Sequence, residues 1–125
     1  VNLDYGHGTG HGVGFFSNVH EGPQAISKFN SVELKKGMIV SNEPGYYEEG
    51  KFGIRIENLI YVDQEKNKLK FKNLTMAPLD KDLINEKLLT PNEKKYLLKY
   101  NLEIYSNISK FLDSRERGWL LKSIQ

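Results

Sequence analysis

A run of alternating glycines near the start of the chain surrounds two of its three histidines, His7 and His11. Residues four apart share one face of a helix, but so many glycines make a helix here unfavourable. The helical His-Glu-x-x-His motif of zinc proteases is therefore excluded, and its glutamate is also absent. In an extended chain, residues four apart again share a face. The run predicts two imidazoles facing one cleft, with glycines that let other backbone approach closely.

A phosphate-binding loop is the other structure that such a run suggests. No Lys-Ser or Lys-Thr follows the glycines, and no helical pattern begins there. The glycine run is therefore interpreted as part of a side-chain site, to which His20, the third histidine, lies close in sequence.

Two regions of different character make up the 125 residues. Residues 1–80 contain glycines, prolines, aromatics and short strand-like runs, whereas residues 81–125 are helical in pattern. An apolar fraction of 38% predicts a globular chain, and a net charge of +2 is too small to indicate a nucleic-acid surface. No cysteine is present, which excludes disulfides and thiolate metal sites, and no apolar run reaches membrane-spanning length.

The first region contains three strand signals. Residues 38–40 form a short apolar run that Pro44-Gly45 ends. The clearest strand is predicted for residues 52–62, with Phe52, Ile54 and Ile56 on an apolar, buried face. Another strand is expected over residues 69–78, joined to the previous one by a polar turn at residues 63–68.

The second region begins its main helix with a capping box, Thr90-Pro91-Asn92-Glu93. One apolar face is predicted for that helix by the spacing of Leu97, Tyr100, Ile104, Ile108 and Phe111. Ser114 is expected to cap a short final helix that carries three apolar residues, Trp119, Leu120 and Ile124.

Two carboxylates stand out as possible metal ligands. Glu43 ends an apolar run just before Pro-Gly, and Glu57 lies on the polar face of the predicted strand. Taken alone, Glu43 is interpreted as a solvated turn residue, and Glu57 as the salt-bridge partner of Arg55, which shares its face. Taken with one histidine, the two carboxylates would suit manganese, zinc or cobalt.

Four motifs in order make a more specific comparison possible. The strings are Tyr-Gly-His-Gly-Thr-Gly-His-Gly-Val-Gly at 5–14, Asn-Val-His-Glu-Gly-Pro at 18–23, Asn-Glu-Pro-Gly-Tyr-Tyr at 42–47 and Gly-Ile-Arg-Ile-Glu-Asn at 53–58. Together they resemble aminopeptidase P, the Xaa-Pro aminopeptidase branch of the pita-bread metallopeptidases. The resemblance implies an α+β fold. Residues 1–80 would be the second, C-terminal half of the catalytic domain, an antiparallel sheet with helices, and residues 81–125 would be a helical extension that could mediate dimerisation.

The resemblance also implies a site with two divalent metals, usually manganese, with zinc or cobalt as alternatives. The metal ligands in this chain would be His11, Glu43 and Glu57. Hydrolysis would proceed through a metal-bridged hydroxide that attacks the Xaa-Pro bond, with Glu43 as the proton shuttle. His20 would bind substrate and stabilise the oxyanion, and His7 would line the substrate pocket. Arg55 and Tyr47 would orient the metal carboxylates.

The family's two aspartate ligands have no counterpart here, because neither Asp4 nor Asp63 lies in the family's aspartate motif. The chain, which begins with valine, is therefore expected to be a C-terminal fragment that is inactive alone and need not hold metal. The resemblance implies that the full-length protein is cytoplasmic and homodimeric. Its partners would be peptides with proline at the second position, with neither nucleic acid nor membrane among them.

Three other interpretations remain open. Prolidase, which cleaves Xaa-Pro dipeptides, has related motifs. A pita-bread domain without metals could serve as a peptide-binding or histone-binding module, although such domains should have lost the ligands that this chain retains. The chain could also be a structural interaction domain whose C-terminal helices mediate dimerisation.

Overall fold

A computed structural model describes residues 3–16 and 18–124 of the chain. The chain divides into two compact units, Val1–Thr75 and Met76–Gln125. Every described strand lies in the first unit and both described α-helices lie in the second, which confirms the α+β class. The predicted domain limits of 1–80 and 81–125 stay a prediction. Among the described residues, no helix is both long and apolar enough to span a bilayer.

The described residues of the first unit form seven strands in three small antiparallel sheets. The strands are β1 (Gly10–His11), β2 (Ala25–Ile26), β3 (Ile39–Asn42), β4 (Gly45–Glu48), β5 (Phe52–Arg55), β6 (Asn58–Glu65) and β7 (Lys68–Asn73). β1 pairs with β2, β4 pairs with β5, and β6 lies between β3 and β7. The most buried apolar side chains of this unit are those of Val40, Ile60 and Val62.

One continuous register runs through two of these sheets. Asn42 of β3 lies opposite Asn58 of β6, and Gly45 of β4 lies opposite Arg55 of β5. Continuing the first register one residue past Asn42, or the second two residues back from Gly45, places Glu43 opposite Glu57. Pro44 has no amide hydrogen to donate, so the ladder is interrupted there and only the amide of Ile56 bonds back to the Pro44 carbonyl, at 3.3 Å. The two segments therefore form one long hairpin with a break at the paired glutamates.

This break corrects the prediction of a single strand over residues 52–62. The segment is two strands, β5 and β6, and Glu57 lies between them rather than within one. The predicted apolar face is also not buried, because Phe52, Ile54 and Ile56 are all exposed. Alternation specifies which side chains share a face, but burial depends on what packs against that face.

β6 and β7 form a second hairpin around a two-residue turn at Lys66 and Asn67, with Lys66 at a φ of 56°. The turn is shorter than the one predicted over residues 63–68, and β7 ends at Asn73 rather than Pro78. Ion pairs join the strands on one face, between Lys72 and Asp63 at 2.5 Å and between Lys70 and Glu65. The hairpin thus has a small charged ladder on one side.

Acidification should remove the contribution of this ladder to stability. The hydrogen bond from Lys72 lowers the pKa of Asp63, and that from Lys70 lowers the pKa of Glu65. A lowered carboxyl pKa stabilises the fold above the ordinary value of about 4 and ceases to do so as the pH falls through the lowered value. We expect Lys72→Met to lower the thermal midpoint slightly at pH 7 and to leave it unchanged at about pH 2. An equal loss at both pH values would contradict this.

The second unit contains α1 (Pro91–Ile108) and α2 (Ser114–Ile124), with 3₁₀ turns at Lys81–Leu83, Glu86–Leu88 and Ser109–Phe111. The predicted capping box is confirmed, since Thr90 and Glu93 exchange side-chain to backbone hydrogen bonds. The predicted cap of α2 is wrong by one residue. The Asp113 side chain, not that of Ser114, accepts from the Glu116 amide at 2.8 Å, and the Glu116 side chain accepts from the Asp113 amide at 2.9 Å.

A small core holds the second unit together. Its buried members are Tyr100, Ile104 and Leu120, and the Tyr100 hydroxyl donates to the Ala77 carbonyl at 2.7 Å. Phe111, predicted for the apolar face of α1, is 77% exposed, and Trp119 is also mostly exposed. The chain changes to a 3₁₀ turn at Ser109, so each residue then rotates further around the axis than in an α-helix and Phe111 leaves the apolar stripe.

Candidate metal and substrate site

The Glu43 side chain is the centre of the candidate site. It is only 7% exposed, so the interpretation of Glu43 as a solvated turn residue is wrong. Its Oε1 accepts from the Ser41 hydroxyl at 2.8 Å and lies 3.2 Å from His11 Nε2. Its Oε2 lies 3.1 Å from Arg55 Nη1. A carboxylate buried among these groups is held in one orientation by partners on three different segments.

His11 reaches Glu43 because β1 lies very close to β3. The Glu43 amide donates to the Thr9 carbonyl at 2.7 Å, and the His11 amide donates to the Ser41 hydroxyl at 2.9 Å. A Cβ at Gly10 would lie 1.8 Å from the Ser41 carbonyl oxygen, so only glycine permits this approach. The prediction that the glycine run lets other backbone pass close is confirmed at this position.

The neighbours of His11 indicate which tautomer its neutral ring adopts. His11 Nδ1 lies 3.0 Å from the Gly12 carbonyl oxygen, which can only accept, so Nδ1 carries a hydrogen. In the neutral ring, Nε2 then presents a lone pair to the Glu43 oxygen 3.2 Å away. Two acceptors facing each other repel, and either a proton between them or a metal ion would remove that repulsion.

A chain of hydrogen bonds links His7 to Glu43. His7 Nδ1 donates to the Gly8 carbonyl at 2.8 Å, so Nε2 accepts from the Tyr47 hydroxyl, also at 2.8 Å. The Tyr47 oxygen in turn accepts from Arg55 Nε at 3.0 Å, and Arg55 bonds to Glu43. The hydrogen bond to Tyr47 is the main cause that raises the pKa of Arg55 above its ordinary value. Arg55 and Tyr47, the two residues predicted to orient the metal carboxylates, therefore connect Glu43 with His7, which is predicted to line the substrate pocket.

His20 completes the cluster. Its ring lies 4.1 Å from that of His11, tilted by 39°. Both rings line a cavity of about 250 Å³, together with His7, Glu43 and Arg55. The predicted convergence of His7 and His11 on one cleft is thus confirmed.

Glu57 stands apart from these contacts. The interpretation that it pairs with Arg55 is wrong, because Arg55 bonds to Glu43 and to Tyr47 instead. Of the interactions that raise the pKa of Arg55, the one with Glu57 is the weakest. The Glu57 side chain is exposed, and within residues 3–16 and 18–124 no three His, Asp or Glu side chains form a complete metal-binding group. The register nevertheless places Glu57 across the hairpin from Glu43.

The donors present fit part of a metal site. When two atoms bind one metal ion at about 2.1 Å each and at roughly a right angle, they lie about 3 Å apart. The distance between His11 Nε2 and Glu43 Oε1, 3.2 Å, is close to that value. Two glutamates opposite each other on a hairpin repel, and a divalent cation between them would reverse that effect. Imidazole with carboxylates suits manganese, zinc or cobalt.

Sequence reasoning did not single out Ser41, whose hydroxyl accepts from the His11 amide and donates to Glu43. A usable signal was present, since Ser41 lies two residues before Glu43 at the end of a strand and alternation puts both on one face. The remaining two acidic candidates are occupied elsewhere: Asp4 pairs with Lys28 at 2.7 Å, and Asp63 pairs with Lys72.

Comparison with known proteins gives a consistent result along the chain. Residues 2–64 match the model of metallopeptidase family M24, and residues 67–125 match the model of the C-terminal region of peptidase M24. A probable Xaa-Pro aminopeptidase P from Coprinopsis cinerea is 49% identical, over 94% of this chain and 21% of the relative. A protein of the same description from Pyrenophora teres f. teres is 49% identical over 89% of this chain and 19% of the relative.

Among solved structures, the X-prolyl aminopeptidase of Caenorhabditis elegans superposes with a TM-score of 0.88 at 34% identity. The match covers 99% of this chain and 22% of the worm protein, which is described as a cytosolic enzyme with a di-nuclear active site. The chain thus spans about a fifth of the length of the relatives it matches. The predicted resemblance and the predicted architecture, part of a pita-bread fold with C-terminal helices, are confirmed.

Proposed function

Because the chain belongs to metallopeptidase family M24, we propose that it supplies part of the active site of an Xaa-Pro aminopeptidase. The observation that carries the proposal is the buried Glu43 carboxylate, whose Oε1 lies 3.2 Å from His11 Nε2, an arrangement that a metal ion between the two atoms would stabilise. The reaction is removal of an N-terminal residue that precedes proline. The relatives named Xaa-Pro aminopeptidase support this choice of substrate.

The proposed metal ligands are His11, Glu43 and Glu57. They would bind two divalent ions, for which manganese is the first choice. When bound, such a metal pair lowers the pKa of a coordinated water and so makes hydroxide available near neutral pH. Glu57 is included because the hairpin register sets it opposite Glu43, and an exposed carboxylate can turn toward an ion. The di-nuclear site of the worm enzyme supports the number of ions.

Glu43 is also the proposed proton carrier. One of its oxygens would accept the proton released by the attacking water and deliver it to the proline nitrogen as that nitrogen leaves. Ser41 and Arg55 hold the carboxylate from two sides, at 2.8 and 3.1 Å, so its orientation does not depend on the substrate.

His20 and His7 are the proposed contacts to substrate. Both line the cavity beside Glu43, and the His20 ring lies 4.1 Å from that of His11, which puts it next to a proposed metal ligand. A ring N–H of His20 would donate to the scissile carbonyl oxygen as negative charge develops there. The bond from Tyr47 fixes the ring of His7, which would form a wall of the proline pocket.

Four further expectations accompany this function. Two aspartate ligands would come from outside this chain, since Asp4 and Asp63 are paired with lysines. The 125-residue chain alone is therefore expected to be inactive. A cytoplasmic location agrees with the cytosolic worm relative, and a homodimer is proposed for the full-length form.

Peptide length distinguishes this function from its rivals. The full-length form should be stripped of metal, reloaded with Mn²⁺ and assayed on an Xaa-Pro-Pro tripeptide and on an Xaa-Pro dipeptide. We expect at least about tenfold faster turnover of the tripeptide and at least about 100-fold loss after chelation. Preference for the dipeptide would identify a prolidase. Absence of both hydrolysis and metal uptake would identify a non-catalytic binding module.

A further inference from the structure

A second cavity lies directly beside the candidate site. It measures about 460 Å³ and shares His7 and Gly8 with the cavity around Glu43. Tyr5, Gly6 and Phe29 contribute to the rest of its wall. Its volume falls within the range of about 300–1,000 Å³ that is usual for ligand-binding clefts. Nothing in the chemistry assigned to the first cavity uses this space.

The direction of the substrate decides what could enter it. An aminopeptidase holds a single residue on the amino side of the cleaved bond, so a longer peptide continues only on the carboxyl side. Each residue of an extended peptide advances about 3.3 Å. With the proline against His7, the next residues would pass along the wall that the two cavities share.

We propose that this second cavity binds the two residues that follow the proline, and that it favours apolar or aromatic side chains there. The proposal rests on the proposed function. Phe29 presents a ring that is 96% exposed, and the Tyr5 ring is held 4.8 Å from that of His7. The charges in the wall neutralise each other, since Lys28 bonds to Asp4 at 2.7 Å. Aromatic surface without a net charge favours apolar ligands.

Gly6 offers a direct way to fill the cavity. It lines the space, a Cβ placed on it would meet no atom within 4 Å, and its φ is outside the left-handed region. Gly6→Phe should therefore fold normally and occupy the position of the bound side chains. Gly118, in α2 of the other unit, has an equally open Cβ position, so Gly118→Phe is the matched control.

The test compares two peptides of equal length in the full-length form loaded with Mn²⁺. We expect KM for Ala-Pro-Phe-Phe to be about tenfold below KM for Ala-Pro-Ala-Ala, because burying apolar side chains on this scale changes affinity by about that factor. Gly6→Phe should remove most of that difference by raising KM for Ala-Pro-Phe-Phe. Gly118→Phe should change neither value.

Binding to the metal-free protein provides a readout that does not depend on turnover. By calorimetry, Pro-Phe-Phe should bind about tenfold more tightly than Pro-Ala-Ala to the unaltered protein, and Gly6→Phe should abolish the difference. Equal binding of the two peptides, no effect of Gly6→Phe, or the same effect from Gly118→Phe would each overturn the proposal. If neither tetrapeptide is hydrolysed, the proposed function fails, and the binding result still decides what the cavity does.

Discussion

Replacing Glu43 with glutamine should reduce turnover of an Xaa-Pro-Pro tripeptide by about 10³-fold or more in the full-length form, and most bound metal should be lost. The variant keeps the size of the side chain but removes the charge that faces His11 and Arg55. One substitution therefore removes a proposed metal ligand and the proposed proton carrier. Loss of general acid–base catalysis alone accounts for a factor of about 10²–10⁴.

Glu65→Gln is the matched control for this substitution. Glu65 is also a carboxylate with a cationic partner, Lys70, but it lies on the β6–β7 hairpin and does not line the cavity. Metal content by elemental analysis, kcat and the far-ultraviolet circular dichroism spectrum should be measured for both. A Glu43→Gln protein that retains its metal and keeps its rate within tenfold of the control would refute the assignment of Glu43.

Replacing Gly10 with alanine should destabilise the first unit by about 3 kcal/mol or more. The new Cβ would lie 1.8 Å from the Ser41 carbonyl oxygen, and backbone cannot move aside as a flexible side chain can. Overpacking of this kind costs about 1–3 kcal/mol, and forcing β1 off β3 adds the loss of the His11–Ser41 hydrogen bond. Activity should also fall, because His11 follows Gly10 directly.

Gly6→Ala provides the comparison, because a Cβ at Gly6 meets no atom within 4 Å. Both proteins should be unfolded with urea, and the free energies of unfolding compared with that of the unaltered protein. We expect Gly6→Ala to lie within about 0.5 kcal/mol of it. A loss below about 1 kcal/mol for Gly10→Ala would show that the close approach of β1 to β3 is not required.

Much of the site was predictable from local patterns. The glycine run pointed to His7 and His11 in one cleft, and the motif order pointed to Glu43 and Glu57 as ligands, a role that stays a prediction. The capping box fixed the start of α1 because its two hydrogen bonds join residues only three apart. Predictions weakened where the partner was distant, as with Arg55, which shares a face with Glu57 in an ideal strand but bonds to Glu43.

The sequence by itself determined where the helices and the β6–β7 hairpin form and which residue types could bind a metal, because those properties depend on neighbours within a few positions. Only the tertiary structure decided that Glu43 is buried, that the hairpin breaks at the two glutamates, and that Tyr47 joins His7 to Arg55. These outcomes depend on contacts between residues up to 40 positions apart. Such contacts follow from how β1 packs on β3, which the absence of a side chain at Gly10 permits.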